Sequence, residues 1–102
     1  MSERPFRLTP RAEADLDEIA RDGLRRWGAA QMAAYLRQID ARMRWLGENP
    51  GLGRPRDEVR PGFRSWREGE HVIFYVGTEP PIAIIGVPHR LMHVGRYFGG
   101  RG

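Results

Sequence analysis

Three histidines are the residues of this sequence best suited to metal binding or proton transfer: His71, His89 and His93. His89 and His93 are four residues apart, so a helical tail would place both on one face, a spacing that can bind zinc. However, no glutamate lies between them as in the metalloprotease motif, and no third ligand is evident. His71 begins an apolar segment and is interpreted as a half-exposed strand residue. The sequence therefore predicts no metal site and no cofactor.

The sequence also gives little support for catalysis by a nucleophile or by paired carboxylates. The only serines, Ser2 and Ser65, stand outside a nucleophile-elbow sequence. Paired carboxylates occur at positions 57–58 and 68–70, in polar segments where solvated charge is the simpler interpretation. Cysteine is absent, which excludes disulfides and thiolate zinc sites. Lysine is absent as well, so there is no phosphate-binding loop of the kind that depends on it.

Arginine supplies all 17 basic residues, and the formal net charge is +4. A guanidinium group stays charged and can bind a carboxylate or a phosphate through two parallel hydrogen bonds. This net charge is compatible with binding to a nucleic acid, with binding to an acidic protein or with neither. Five arginines against two acids give segment 54–67 a local excess of 5 − 2 = +3. They are Arg54, Arg56, Arg60, Arg64 and Arg67.

Length and composition indicate one small globular domain spanning residues 1–102. Forty per cent of the residues are hydrophobic and 29% are charged, as in a soluble protein. No apolar run approaches the ~18 residues of a membrane helix. The amino terminus lacks the basic and apolar segments of a secretion signal. We therefore expect a cytoplasmic protein that makes no membrane contact.

Hydrophobic periodicity predicts a hairpin of two helices. Thr9 and Pro10 indicate the start of the first helix, because threonine is a good N-cap and proline is favoured at the first helical position. Gly28 separates this helix from the second, and the segment 49–51, Asn-Pro-Gly, ends the second. So short a link forces the two helices to run antiparallel. Leu16, Ile19, Trp27, Leu36, Ile39 and Leu46 are expected to be largely buried.

Strands are predicted at 5–8, 63–67, 71–76 and 82–87, with the last three forming a meander. Residues 52–61 are predicted to be a loop, and the tail at 90–98 a short helix. The element order is β-α-α-β-β-β, an α+β fold with the hairpin on one face of a small, mainly antiparallel sheet. Segments 71–76 and 82–87 are apolar on both faces, so both faces must be covered. Either the tail covers the second face, or apolar surface is left for a partner.

Five motifs occur in one order along the chain: WG-x-x-Q-x-x-x-Y at 27–35, NPGLGR at 49–54, RPGFRS at 60–65, HVIFY at 71–75 and VPHRLM at 87–92. Together they resemble ParE-type toxins of the RelE/ParE toxin–antitoxin superfamily. The resemblance extends from Phe6 to Met92. It implies a RelE/ParE-like fold, a toxin that inhibits DNA gyrase, and a ParD-like antitoxin that neutralises it. It also implies a binding protein, not an enzyme, that meets DNA only indirectly, through the antitoxin.

The candidate binding residues follow from this resemblance and from the charge pattern. Antitoxin binding is expected on the sheet and the arginine-rich segment before it, and the candidates are Arg60, Arg64, Trp66, Arg67 and Tyr75. Target binding is expected in the tail, and the candidates there are His89, Arg90, Met92 and Arg96. No catalytic residue is assigned.

The alternative function is a ribosome-dependent mRNA interferase of the RelE type. Cutting RNA without a metal requires a base for the 2′-hydroxyl, an acid for the leaving oxygen and cations on the phosphate. By similarity to RelE-type sites, the residues available are Arg64, Arg67, His89, Arg90 and Tyr97. RelE-type sites rely on lysines, however, and arginine, with a pKa above about 12, transfers protons poorly. A second alternative is a small basic nucleic-acid-binding module that uses the five arginines of segment 54–67.

Overall fold

The computed structural model describes residues 4–99. The elements are β1 (Phe6–Leu8), α1 (Pro10–Trp27), α2 (Ala29–Glu48), β2 (Arg54–Pro55), β3 (Arg64–Glu68), β4 (His71–Val76), β5 (Ile82–Gly86) and α3 (Val94–Tyr97), with a 3₁₀ turn at Pro50–Leu52. Within residues 4–99, no helix is long and apolar enough to cross a membrane.

The predicted helix hairpin is confirmed, both at its start and at the turn between its helices. The Thr9 side chain accepts a hydrogen bond of 3.2 Å from the Ala12 N–H, and Pro10 is the first residue of α1. Gly28 ends α1 with φ 87°, a left-handed conformation that side chains with a Cβ rarely adopt. Because α2 begins at the next residue, α1 and α2 fold back against each other.

The sheet has the strand order β1-β5-β4-β3-β2. Strands β3, β4 and β5 form the predicted antiparallel meander, while β1 pairs in parallel with β5. The α+β prediction is therefore confirmed. Strand β2 was missed, because its two residues include a proline and show no alternating pattern. It pairs with β3 at the sheet edge, where a proline without an N–H is tolerated.

The helix hairpin covers the face of the sheet that carries Ile73 and Tyr75. Both side chains are fully buried in one cluster with residues of both helices, including Ile39. Leu16 and Leu36 pack against this cluster but are only partly buried. Trp27, at the end of the hairpin, is also partly exposed and makes an edge contact with Tyr35. These three residues are therefore less completely buried than Ile19, Ile39 and Leu46, because they lie at the border of the core.

The tail covers the centre of the opposite face, which we call the outer face. Phe74 is 1% exposed there, with the Phe98 ring centroid 5.1 Å from its own and the Arg56 guanidinium 5.2 Å above it. Phe63 also packs against Phe98, with ring centroids 5.1 Å apart. Val72 on the same face is only half-buried. The tail thus covers part of the outer face and leaves the rest open.

The tail contains a single helical turn where a longer helix, 90–98, was predicted. α3 begins at Val94, after the His93 side chain accepts a hydrogen bond of 3.2 Å from the Arg96 N–H. His89 precedes this turn and instead forms an isolated β-bridge with His71. His89 and His93 therefore do not share a helical face, because the chain between them forms a turn, closed by the Met92 N–H and the His89 carbonyl at 2.9 Å, and not a helix.

Candidate functional site

The tail leaves the sheet at Val87 and returns to the body of the protein at Tyr97. The Val87 N–H donates a hydrogen bond of 2.8 Å to Oδ2 of Asp15 on α1. The Tyr97 hydroxyl donates to the same oxygen. Residues 88–96 therefore form a loop, called the tail loop below, whose two ends meet at one carboxylate.

The tail loop exposes two apolar side chains at its tip. Leu91 is 73% exposed and Met92 is 48% exposed. Two hydrogen bonds to His89 hold the backbone of these residues. The Leu91 N–H donates to Nδ1 of His89 at 3.1 Å, and the Met92 N–H donates to the His89 carbonyl at 2.9 Å. Arg90 and Arg96, which precede and follow them in the tail loop, are also exposed. The tip thus presents an apolar anchor between cations, the composition of a protein-binding site.

Leu91 is a binding candidate that the sequence reasoning missed. It is the most exposed large hydrophobic residue among those that the structure describes. The available signal was the apolar pair Leu91-Met92 in an otherwise polar segment, of which only Met92 was chosen. Of the four predicted target-binding residues, Met92, Arg90 and Arg96 are exposed and His89 is half-buried. The structure therefore brings all four into or directly beside the tail loop.

A polar cluster supports the first half of the tail loop. Glu70 Oε1 accepts a hydrogen bond of 2.9 Å from Nε of Arg90, which holds the pKa of this carboxyl below its usual range. His89 Nε2 lies 3.8 Å from the same oxygen. Burial, with a smaller contribution from His89, lowers the pKa of His71. His71 is therefore a neutral partner for the Tyr35 hydroxyl, 2.7 Å from its Nδ1.

Tyr97 is unsuited to acid–base catalysis in this arrangement. Burial raises the pKa of its phenol strongly, and the hydrogen bond to Asp15 raises it further. A tyrosinate beside that carboxylate would place two negative charges together, so the hydroxyl stays protonated and bound. Tyr97 therefore acts as a fixed donor within the fold.

The residues of the alternative RNase site line three different hollows. Arg67 and Arg90 line a groove on the outer face. His89 and Tyr97 line a hollow against α1, and Arg64 lines a third hollow near Val76. Arg64 and Arg67 lie on opposite faces of β3, so one phosphodiester cannot contact both. Within residues 4–99 there is also no group of three or more potential metal ligands.

The predicted antitoxin-binding residues are likewise not on one surface. Positions 64 and 67 are three apart on β3, so their side chains point to opposite faces. Arg64 points toward the helix side, where Nη1 donates to the Gly53 carbonyl at 2.6 Å. Trp66 is half-buried on that side, with its ring 4.8 Å from that of Trp45. Arg67 is exposed on the outer face, and Arg60 donates to the Phe98 carbonyl at 2.9 Å.

Tyr75 is buried and therefore cannot belong to a binding surface. The side chain is 0% exposed, so it offers nothing to a partner. Its hydroxyl donates to the Pro50 carbonyl at 2.6 Å and accepts from the Gly53 N–H at 2.9 Å. Choosing Tyr75 was wrong for a physical reason: β4 is central in the sheet, and the 3₁₀ turn closes over its end.

Four arginines line the groove of about 400 Å³ on the outer face. Their neighbours in the groove include the exposed Leu52 and the half-buried Val72. The lining arginines are Arg54, Arg56, Arg67 and Arg90. Two of them are already paired with acids, Arg56 with Glu58 at 2.7 Å and Arg90 with Glu70 at 2.9 Å. We call this surface the arginine groove.

Comparison with known proteins identifies the family of this chain. The family described as ParE toxin of type II toxin-antitoxin system, parDE, matches residues 6–94. The chain belongs to the ParE toxin family. The match includes α1, α2, all five strands and the tip of the tail loop, and it ends at residue 94, the first residue of α3.

Several relatives carry the ParE name. Toxin ParE1 of Caulobacter vibrioides is 40% identical over 97 residues, which cover 94% of this chain and 99% of that protein. Toxin ParE1 of Mycobacterium tuberculosis is also 40% identical over 97 residues, covering 94% and 98%. Toxin ParE of Escherichia coli is 31% identical over 86 residues, covering 83% and 84%. The similarity to these toxins extends over most of each chain.

A solved structure shares the fold of this ParE-family chain. The chromosomal ParDE TA system from P. aeruginosa contains a chain that matches with a TM-score of 0.70 and 20% sequence identity. The match covers 82% of this chain and 92% of that one. The RelE/ParE-like fold implied by the five sequence motifs is therefore confirmed.

Proposed function

We propose that this toxin inhibits DNA gyrase by binding it and is neutralised by a ParD-like antitoxin. The observation that carries the proposal is the ParE family match over residues 6–94. The neighbouring solved structure is titled as a ParDE system, which supports an antitoxin of the ParD type. Contact with DNA is then made only through the antitoxin.

The tail loop is the proposed contact with gyrase. Leu91 and Met92 supply exposed apolar area, and Arg90 and Arg96 supply positive charge beside it. Binding energy in protein complexes is concentrated in a few such anchors surrounded by polar contacts. Inhibition by binding requires no proton transfer, which agrees with a phenol at Tyr97 that is held by Asp15.

The arginine groove is the proposed contact with acidic residues of the antitoxin. Arg67 and Arg54 are exposed there, and the apolar side chains of Leu52 and Val72 lie between the cations. An antitoxin segment with alternating acidic and apolar residues would match this lining. Arg60 and Arg64 are weaker candidates, because each already donates to a backbone carbonyl.

The proposed target is tested by the supercoiling activity of purified gyrase with the Leu91→Ala toxin. Loss of an exposed anchor should weaken inhibition by about 30-fold or more, since truncated hot-spot residues cost at least ~2 kcal/mol. Leu24→Ala is the matched control, because Leu24 is 52% exposed on α1, outside the tail loop. Equal loss of inhibition in both variants would remove the tail loop from the gyrase contact.

The same toxin separates inhibition of gyrase from RNA cleavage. In a purified translation system, ribosome-bound mRNA should remain intact. His89→Gln should reduce toxicity by far less than the ~10²–10⁴-fold expected for a general acid or base. Codon-specific mRNA cuts that disappear in His89→Gln would replace the gyrase proposal with the interferase.

A further inference from the structure

Asp15 on α1 connects the two ends of the tail loop. It lies in the second turn of α1, half-buried, and one of its carboxylate oxygens accepts two hydrogen bonds from the tail. The donors are the Val87 N–H and the Tyr97 hydroxyl, which stand at the two ends of the tail loop. A single acceptor thus joins the start and the end of this loop.

The contacts around Tyr97 keep its ring in one place. Arg11 donates to the Tyr97 carbonyl, and its guanidinium lies 4.7 Å from the ring centroid. Gly86, the last residue of β5, lies directly under the phenol, and a methyl group there would overlap the Tyr97 hydroxyl. Phe98 then continues onto the outer face, where Arg60 donates to its carbonyl at 2.9 Å. The absence of a side chain at the end of β5 therefore leaves the space that the Tyr97 ring occupies.

We propose that Asp15 is a positioning residue that closes the tail loop and thereby fixes Leu91 and Met92 in the orientation that binds the target. The proposal rests on the proposed function, because it takes the tail loop as the target contact. The partner surface that fits this loop is an apolar pocket bordered by carboxylates. That composition complements two exposed apolar side chains with an arginine on either side.

The physical basis is the conformational cost of binding through a loop. A loop that is mobile in the free protein loses entropy when it binds, whereas a loop already held in its bound shape does not. If the shape that binds is populated only part of the time, the apparent dissociation constant rises in inverse proportion. Hydrogen bonds to a carboxylate are among the stronger ones in proteins. Losing both at Asp15 would loosen the two ends of the tail loop together, while the His71–His89 bridge and the hydrogen bonds from Arg11 and Arg60 would remain.

The test uses two variants of the full-length toxin and one matched control. Tyr97→Phe removes the bond at the end of the loop, and Asp15→Ala removes both bonds. Asp17→Ala is the control, because it deletes the same charge from an exposed position of the same helix. Amide hydrogen exchange in the tail loop, gyrase inhibition and affinity for the cognate antitoxin are measured for each protein.

Tail-loop amides should exchange faster in both variants and unchanged in Asp17→Ala, since local opening sets the exchange rate. Gyrase inhibition should weaken by about tenfold in Asp15→Ala, as expected if the binding shape is populated about a tenth of the time. The effect of Tyr97→Phe should be smaller, and antitoxin affinity should be retained. Asp15→Asn, whose amide oxygen can take the place of Oδ2 and accept both hydrogen bonds, should restore most of the inhibition.

Two results would overturn the proposal. Unchanged exchange of the tail loop in Tyr97→Phe, the milder variant, would show that Asp15 does not close it. Faster exchange with undiminished gyrase inhibition would show that closure does not position the target contact. If the wild-type toxin leaves gyrase active, the proposed function fails, yet hydrogen exchange still decides whether Asp15 closes the loop.

Discussion

At the scale of the residue, Tyr75 illustrates how one side chain joins two parts of the fold. Its ring is buried between the sheet and the helices, and its hydroxyl is bonded to the Pro50 carbonyl and the Gly53 N–H. The 3₁₀ turn therefore depends on a group on β4, far away in the sequence. Gly53 is required at this point because a Cβ on it would overlap the tyrosine hydroxyl.

This contact leads to a prediction about two nearby glycines. Gly53→Ala should lower the free energy of unfolding by about 1–3 kcal/mol, because the added methyl displaces Tyr75 from a packed position. Gly51→Ala is the control, since a methyl group there meets nothing within 4 Å. Urea unfolding of both variants provides the measurement. Equal stability of the two proteins would contradict the close approach of Tyr75.

Asp15 shows the limit of sequence reasoning at the same scale. As an acid near the start of α1, it is explained well enough by the favourable interaction of negative charge with a helix amino terminus. Asp17 satisfies the same pattern and is exposed. Only the folded chain distinguishes them, because the distance from Asp15 to Val87 and Tyr97 depends on how the tail crosses α1.

At the scale of the element, α2 contributes to the core through a stripe only part of which is fully buried. Ile39 is 0% exposed in the centre of the stripe. Leu36, one turn earlier, packs against the core but keeps part of its surface in water. Periodicity identifies the stripe correctly, but it does not say where the sheet beneath it ends.

The stripe predicts different costs for two truncations on α2. Ile39→Ala should lower the free energy of unfolding by about 2–5 kcal/mol, the range for large aliphatic residues in a closed core. Leu36→Ala should cost less, because water already reaches part of the side chain and can fill the space. Thermal or denaturant unfolding of the two variants measures the difference. A larger loss for Leu36→Ala would show that the hairpin is packed differently on the sheet.

At the scale of the whole molecule, the sheet separates two groups of arginines. Arg64 stabilises the turn before β2 from the helix side, whereas Arg67 is exposed in the arginine groove of the outer face. The tail crosses the same outer face, so the groove and the tail loop adjoin at Arg90. An antitoxin bound in the groove would therefore lie next to the proposed gyrase contact.

Antitoxin affinity should respond differently to charge reversal on the two faces. Arg67→Glu should weaken the complex by about 10-fold or more, because it places like charges opposite the acidic residues expected in the antitoxin. The melting temperature of the Arg67→Glu toxin should change little, as for most exposed substitutions. Arg64→Glu should lower the melting temperature, since it removes the donor to the Gly53 carbonyl. Calorimetric titration with the antitoxin, beside melting curves, tests both. Undiminished affinity of Arg67→Glu would exclude the groove.

The helix hairpin, the meander and the resemblance to ParE toxins could all be predicted from the sequence alone. Capping residues, glycine breaks and apolar periodicity act over a few neighbouring residues, so they are readable along the chain. Three features became clear only from the folded chain: the burial of Tyr75, which of Arg64 and Arg67 faces the helices, and the contact of Asp15 with the tail. Each of these depends on which strand is central and where the tail crosses the helices, and those long-range contacts leave no periodic signal in the sequence.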